Sequence, residues 1–433
     1  MNFNLKNPVI QNMQETSPYF SICVATRNRP ETLLYCLKTL LHQDFQDYEI
    51  IVSDNCDEKE SIETVKIIAA LNADKIKYFK PGAVVSMTEN YEFALSKTKG
   101  KYILCMGDDD GLIADSLQYV YDFIQEYGAK VIKCPEAAYM WMGSYSHPNS
   151  ALFYPFERPV TEVKSKSILQ KVANFELRYS NLPMIYYSFV SSDIINDVVK
   201  EKGSFFQNSG AIDVYSGFVI AYKTESYFIT DKPFVIIGSS GKSTGGTVTL
   251  KPKSKIATEY HAQHGTQEVY NKYQLPMLPK IHIGVFVWVE LLKFMENYTL
   301  DKTFLNIEYR NLFIDMVSQE PVFDNKKDLG FVKYFSGYTC YEKDIQYITD
   351  NFLGKKVFFP NFRNIDRLIY EHELINPGLF HVKDVYGASL LCRNLLNSKK
   401  DLKPISISGN DLKSHKRWML QEMIRRVKNF VLG

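Results

Sequence analysis

The chain reads as an α/β protein with a mainly parallel sheet, and three observations predict it. Short β-prone apolar runs alternate with helical patterns from Tyr19 to Cys134, polar clusters follow several of those runs, and no cysteine framework or long apolar span points to another class. Tyr19–Thr26 is the first strand, and the loop Arg27-Asn28-Arg29-Pro30 follows it. Pro30 suits a first helical turn, and Leu33, Leu34, Leu37, Leu40 and Leu41 then recur at helical spacing. Tyr48–Ser53 is a second strand ending at Asp54, Ile62–Leu71 a helix, and Ile76–Phe79 a third strand. Asn90–Leu95 reads as helix and Tyr102–Met106 as a fourth strand running into Gly107-Asp108-Asp109-Asp110. Leu112–Tyr127 follows as a helix and Lys130–Cys134 as a strand. Strands joined by helices need crossover connections, which are right-handed and leave a parallel sheet covered on both faces. Ligands bind such sheets beyond the carboxyl ends of the strands. That rule gathers Thr26–Arg29, Asp54 and Asp108–Asp110 on one rim.

Farther along, Tyr139–Pro159 is aromatic and irregular, a loop or hairpin excursion. Lys164–Leu177 reads as helix, Met184–Val190 as strand, and Ile212–Tyr222 as a helix carrying Asp213 at its start. Tyr227–Thr230 and Phe234–Ile237 are short strands before a Gly, Ser and Thr-rich stretch, 238–247. The polar, proline-broken segment 251–279 predicts a linker. Beyond it, Ile281–Tyr298 and Phe304–Val317 read as helices, so 1–250 form an α/β domain and 280–433 a mostly helical C-terminal region.

Composition narrows the function. A length of 433 residues allows two or three domains at about 150 residues each. Lys and Arg number 51 against 49 Asp and Glu, too balanced for a chain built around nucleic-acid phosphates. The 7 cysteines form no Cys-x-x-Cys pair, which favours a reducing, cytoplasmic setting over a disulfide framework or structural zinc. The N-terminus lacks the pattern of a secretory signal, and no apolar run reaches the roughly 18 residues of a membrane span.

Three adjacent carboxylates, Asp108, Asp109 and Asp110, repel one another and persist where a cation or hydrogen-bond donors compensate them. Oxygen ligands suit Mg²⁺ or Mn²⁺, and a divalent ion shared with a diphosphate would neutralise charge on a departing nucleotide. The same residues could instead be a solvated turn capping the helix that follows. The strand and Gly238-Ser-Ser-Gly-Lys-Ser imitate the end of a phosphate-binding P-loop, but Gly238 and Gly241 are too close for one. Backbone N–H groups there and Lys242 could cap a diphosphate, or the stretch could be a plain loop. His261 and His264 lack a nearby third ligand and read as surface residues.

The run SICVATRNRPETLLYCLKTLLHQDFQDYEIIVSDN, with NYEFAL, GKYILCMGDDDGL and AIDVYSG, resembles family 2 glycosyltransferases with the GT-A fold. The resemblance covers about 18–245. It implies a Rossmann-like sheet with flanking helices, a nucleotide-sugar donor (a UDP-sugar foremost), Mn²⁺ or Mg²⁺, and transfer with inversion to a glycan or lipid-linked acceptor. Carried over, Thr26 and Arg27 line the nucleotide pocket, Asp54 matches the Asp that contacts the base or ribose, and Asp108–Asp110 match the DXD-type metal motif; Arg29, Asn90, Asp108, Asp109 and Lys242 are further candidate contacts to the nucleotide-sugar. Gly107 stands where many members have the first Asp, so the register is open: Asp108 and Asp110 satisfy the spacing literally, whereas alignment from Tyr102 favours Asp109 and Asp110 as the nucleotide-metal pair. Asp213 matches the acceptor-side general base, ahead of Asp193, Asp197 and Glu201 on an amphipathic helix; helix capping is its alternative role.

At the C-terminus, Lys413, Lys416, Arg417, Arg425, Arg426 and Lys428 alternate with apolar residues at helical spacing over 413–431. That pattern fits a helix lying on the inner face of the cell membrane, or one docked on the protein itself. Two rivals to an enzyme of this type are a noncatalytic sugar-nucleotide or polysaccharide-binding subunit and a nucleotidyltransferase, which would need glycine in the 26–30 loop.

Overall fold

A computed structural model describes residues 17–144, 150–156, 158–207, 209–251, 253–273, 275, 283–300, 304–305 and 372–397. Its first half follows the expected alternation: β1 (Phe20–Thr26), α1 (Pro30–Leu41), β2 (Tyr48–Asp54), α2 (Glu58–Leu71), β3 (Ile76–Phe79), α3 (Met87–Leu95) and β4 (Tyr102–Gly107). Pro30 opens α1, as its fixed φ and missing N–H favour. Ser86 and Glu89 close a reciprocal capping box at the start of α3.

Strands β1, β2, β3 and β4 pair in parallel. Alternate residues of β1 enter two different cores, which is why the strand reads as a continuous apolar run rather than an alternating one. Phe20, Ile22 and Val24 pack with Leu33, Leu37 and Leu40 of α1, whereas Cys23 and Ala25 join a core on the opposite face. Burying each large aliphatic or aromatic side chain contributes about 1.5–3 kcal/mol.

After β4 come β5 (Gly111–Leu112), α4 (Ser116–Tyr127), β6 (Val131–Lys133), β7 (Ala137–Met140), β8 (Ala151–Pro155), β9 (Thr161–Lys164) and α5 (Ser165–Ala173). A short 3₁₀ turn, Tyr179–Asn181, leads to β10 (Ser188–Ser191), α6 (Ser192–Lys202), α7 (Ile212–Lys223), β11 (Ser226–Ile229) and β12 (Val235–Ser239). The main sheet has the order β3-β2-β1-β4-β10-β6-β11-β9, with β10 antiparallel to both its neighbours. A second sheet includes β8-β7-β12-β5, so the irregular stretch after Tyr139 does contain a hairpin, β7 with β8.

The helix expected from Leu112 begins at Ser116 instead. Gly111 and Leu112 pair with β12, Ile113 N–H bonds the Phe234 carbonyl, and Asp115 turns the chain with φ +60°. The acidic run therefore does not cap that helix. The strand expected at Met184 starts only at Ser188.

The stretch expected as a linker carries α9 (Lys255–Gln263) and α10 (Thr266–Lys272), preceded by α8 (Thr244–Leu250). Next comes α11 (Ile283–Asn297), whose Trp288, Leu291 and Phe294 enter the same core as Tyr215 and Phe218 of α7. At the far end, β13 (His372–Ile375) extends the second sheet beside β8, and α12 (Val385–Asn397) packs Val385, Ala388 and Leu391 against it. Most of the expected helix Phe304–Val317 and the basic stretch 413–431 lie outside the described residues.

Candidate active site

The register of the parallel strands assembles the rim. Thr26 is level with Asp54, and Ala25 with Gly107, so the residues following β4 come up beside the end of β1. There Thr26 Oγ1 donates to Asp108 Oδ2 at 2.6 Å, and Arg29 Nη2 lies 2.8 Å from Asp108 Oδ1. The Arg29 Nη1 atom is 3.7 Å from Asp109 Oδ1. Burial works against the Arg29 charge, but Asp108 and Asp109 outweigh it and hold the guanidinium well above its usual range. Burial pushes the Asp108 carboxyl up to about 6, against the pull of Arg29 and with a further push from Asp109.

The Gly and Ser-rich stretch after β12 supplies the donors that let these carboxylates coexist. Ser240 N–H donates to Asp109 Oδ2 at 3.1 Å, and the Ser243 hydroxyl donates to the same oxygen. Gly238 N–H donates to Asp110 Oδ1 at 2.7 Å, and Gly107 N–H to Asp110 Oδ2 at 2.7 Å. Gly238 has a steric reason to be glycine, since a Cβ there would sit 1.7 Å from the Asp109 carbonyl oxygen. Trp141 Nε1 donates to that same carbonyl at 3.0 Å. Burial, with help from Asp109, raises Asp110 well above the usual carboxylate range.

The three carboxylates consequently do different things. Asp110 is 3% exposed and both its oxygens are engaged by backbone N–H groups, which makes it a clasp between β4 and β12. Asp108 Oδ1 is buried and, despite the nearby Arg29, receives no aligned hydrogen bond. Among the described residues no three His, Cys, Asp or Glu side chains converge on an ion. The Oδ1 atoms of Asp108 and Asp109 stay outside that backbone network and face Arg29, so a divalent cation using one or two carboxylates would take them in place of the guanidinium.

At the end of β2, Asp54 is fully buried; its Oδ1 accepts Cys56 N–H at 2.9 Å and its Oδ2 accepts the Tyr78 hydroxyl at 2.7 Å. Asn90 accepts the Ser53 hydroxyl at 2.6 Å, so its amide braces β2 just before Asp54. Arg27 reaches across to α9, with Nη2 3.2 Å from Glu259 and Nη1 3.3 Å from Gln263. Lys242 is half-exposed and pairs with Glu31 at 2.5 Å.

Asp213 stands in the first turn of α7, half-buried. The backbone N–H groups of Val214 and of Asp213 itself favour its ionised form, while α7 has no side-chain cap at Ala211. Burial raises this carboxyl, and Glu290 of α11 raises it further. The fields of Asp110 and Asp213 both reach Tyr186 and Tyr187, two phenols that burial holds far above their normal range. His264 is not a surface residue: its Nδ1 lies 2.9 Å from the Tyr260 carbonyl and burial lowers its basicity.

Residues 21–186 match the family model described as Glycosyl transferase family 2. This segment is a family 2 glycosyltransferase domain. Its fold is of the GT-A type. Over 110 residues the chain is 32% identical to the GalNAc(5)-diNAcBac-PP-undecaprenol beta-1,3-glucosyltransferase of Campylobacter jejuni, a match covering 23% of this chain and 32% of that relative. It spans about a third of that protein's length. Similar solved structures include S. aureus TarS 1-349 in complex with UDP-GlcNAc, at 14% identity and TM-score 0.45, covering 87% of this chain and 92% of that one. The mannosyltransferase PcManGT from Pyrobaculum calidifontis, in complex with GDP-Man and Mn²⁺, is similar at 11% identity and TM-score 0.37, covering 89% of each chain.

Sequence reasoning finds Asp213 but not Glu290, and it finds the 238–247 stretch but not its tie to Asp109 and Asp110. The Gly-Ser-Ser-Gly-Lys-Ser run is the visible signal for the second.

Proposed function

We propose that the protein is an inverting glycosyltransferase, moving a sugar from a nucleoside diphosphate donor, a UDP-sugar foremost, to a hydroxyl of a glycan or lipid-linked acceptor. The observation that carries the reading is the rim itself. Thr26, Arg29, Asp54, Asp108 and Asp109 gather at the carboxyl ends of three parallel strands, where this sheet type binds ligands.

Asp54 and Arg27 would border the base and ribose, while Arg29 balances the carboxylates until the donor arrives. Asp108 and Asp109 would hold Mn²⁺ or Mg²⁺. When bound, the ion supplies Lewis-acid stabilisation of the diphosphate leaving group. The backbone around Ser240 fixes the Asp109 carboxylate, so little reorganisation is needed as charge develops. Asp213 would take the proton from the acceptor hydroxyl as it attacks the anomeric carbon opposite the departing diphosphate. Its raised basicity suits that task, because a carboxylate nearer neutrality holds a transferred proton better.

Among the described residues no helix is long and apolar enough to cross a membrane. A lipid-linked acceptor would be met at the inner membrane surface, with the basic stretch 413–431 as the contact.

Donor hydrolysis with Mn²⁺ and no acceptor tests the reading directly. Release of nucleoside diphosphate in the wild type, abolished in Asp109→Asn, supports an enzyme. Donor binding without turnover, under any metal or acceptor, would instead identify a noncatalytic sugar-nucleotide-binding subunit.

A further inference from the structure

Glu290 lies in α11 between the apolar Val289 and Leu291 and is 1% exposed. Its Oε1 accepts Gly210 N–H at 3.0 Å and lies 3.2 Å from Lys293 Nζ. Its Oε2 is buried and has no hydrogen-bond partner among the described residues. A carboxylate sequestered like this is costly unless it does something the fold needs.

What it touches is the turn leading into α7. Glu290 holds the N–H of Gly210, Tyr260 of α9 donates its hydroxyl to the Gly210 carbonyl at 2.5 Å, and Thr88 of α3 bonds the Ser209 carbonyl. The peptide groups around Gly210 are therefore gripped from three helices, three residues before Asp213. Little room is left there: a Cβ on Gly210 would lie 3.1 Å from the Tyr260 hydroxyl and 3.4 Å from Glu290 Oε1.

The groups whose fields reach Asp213 are Tyr179 from the 3₁₀ turn, Tyr186 and Tyr187 from the segment before β10, Tyr260 from α9 and Glu290 from α11. Lys293 lies 3.2 Å from Glu290 Oε1, and the fields of both reach His264. Among these groups Glu290 is the carboxyl, and its field acts on Asp213.

We propose that Glu290 is the positioning residue of the base: it clamps the turn that aims Asp213, and its half-unpartnered charge sets the field in which Asp213 takes up the acceptor's proton. The inference rests on Asp213 being that base. It assigns a function to α11, a helix beyond the family-matched segment 21–186.

The experiment is the pH profile of kcat for wild type, Glu290→Gln, Lys293→Gln and Asp213→Asn, with melting temperatures measured alongside. Glu290→Gln keeps an acceptor for Gly210 N–H and removes the charge. Its acid limb should move down by on the order of one pH unit, with donor KM unchanged. Lys293→Gln removes the cation beside Glu290 and should move the limb up, which tests the inference even if the Glu290→Gln variant does not fold. A limb that stays put in both variants while Asp213→Asn is inactive overturns the role of Glu290 and leaves the base intact. Full activity in Asp213→Asn overturns the base, and the role of Glu290 with it.

Discussion

The strand-end rim, which we propose as the donor side, and the surroundings of Asp213, which we propose as the acceptor side, are built differently. The donor side lies at the ends of β1, β2 and β4, where consecutive elements of one segment bring Thr26, Asp54 and Asp108 level by strand register alone. The acceptor side is assembled from distant pieces: Asp213 on α7, Tyr260 on α9 and Glu290 on α11, joined through Gly210. Between the two, the 238–243 stretch crosses back to clasp Asp109 and Asp110. Strand register alone brings the rim residues level, whereas the turn before Asp213 is held from several helices.

Asp109→Asn should break the donor side most completely. It keeps the size of the side chain and removes the charge, so transfer should fall by on the order of 10²–10³-fold with an unchanged melting temperature. Residual metal-dependent turnover near wild type would remove Asp109 from the site. On the acceptor side, Asp213→Asn should lower kcat by about 10²–10⁴-fold and leave the donor Kd from calorimetry where it was.

Asp110→Ala sharpens the contrast, because its effect should appear in stability. It strands the Gly107 and Gly238 N–H groups, at about 1–3 kcal/mol each, and thermal unfolding should register the loss. The pH dependence follows from Asp213. Burial first, and Glu290 second, favour its protonated form in the fold, so kcat should fall as pH drops through a value above the ordinary Asp range near about 4. A limb at or below that range would contradict the buried setting. The smallest effect belongs to the Arg27–Glu259 pair. It is partly exposed, so Glu259→Ala should cost less than about 1 kcal/mol in urea unfolding, while donor KM reports whether Arg27 depends on it.

The legibility of the sequence divides along the same line. Phe20–Thr26, Pro30 and the alternation that follows are readable because two-sided burial and crossover helices impose local patterns. The rim residues are readable because they sit where strands stop. Asp213 is visible only as a polar residue opening a helix in a motif that resembles the family's. Glu290 is invisible: set in the apolar stretch of α11, it gives no sign that its partner is an N–H 80 positions earlier. The two-residue β5 reads as helix because its apolar residues continue smoothly into α4, and only pairing with β12, far along the chain, decides otherwise. Helices α9 and α10 read as linker because most of their surface is polar; their hold on the fold is through Ala257, Tyr260 and Tyr270.

Anomalous diffraction from crystals soaked with Mn²⁺ and UDP tests the central claim most directly. The account expects one manganese peak beside Asp108 and Asp109, bridging to the diphosphate, with Asp110 still bound to the Gly107 and Gly238 backbone. Nucleotide in that pocket with no metal peak, or a metal held by Asp110, would contradict it.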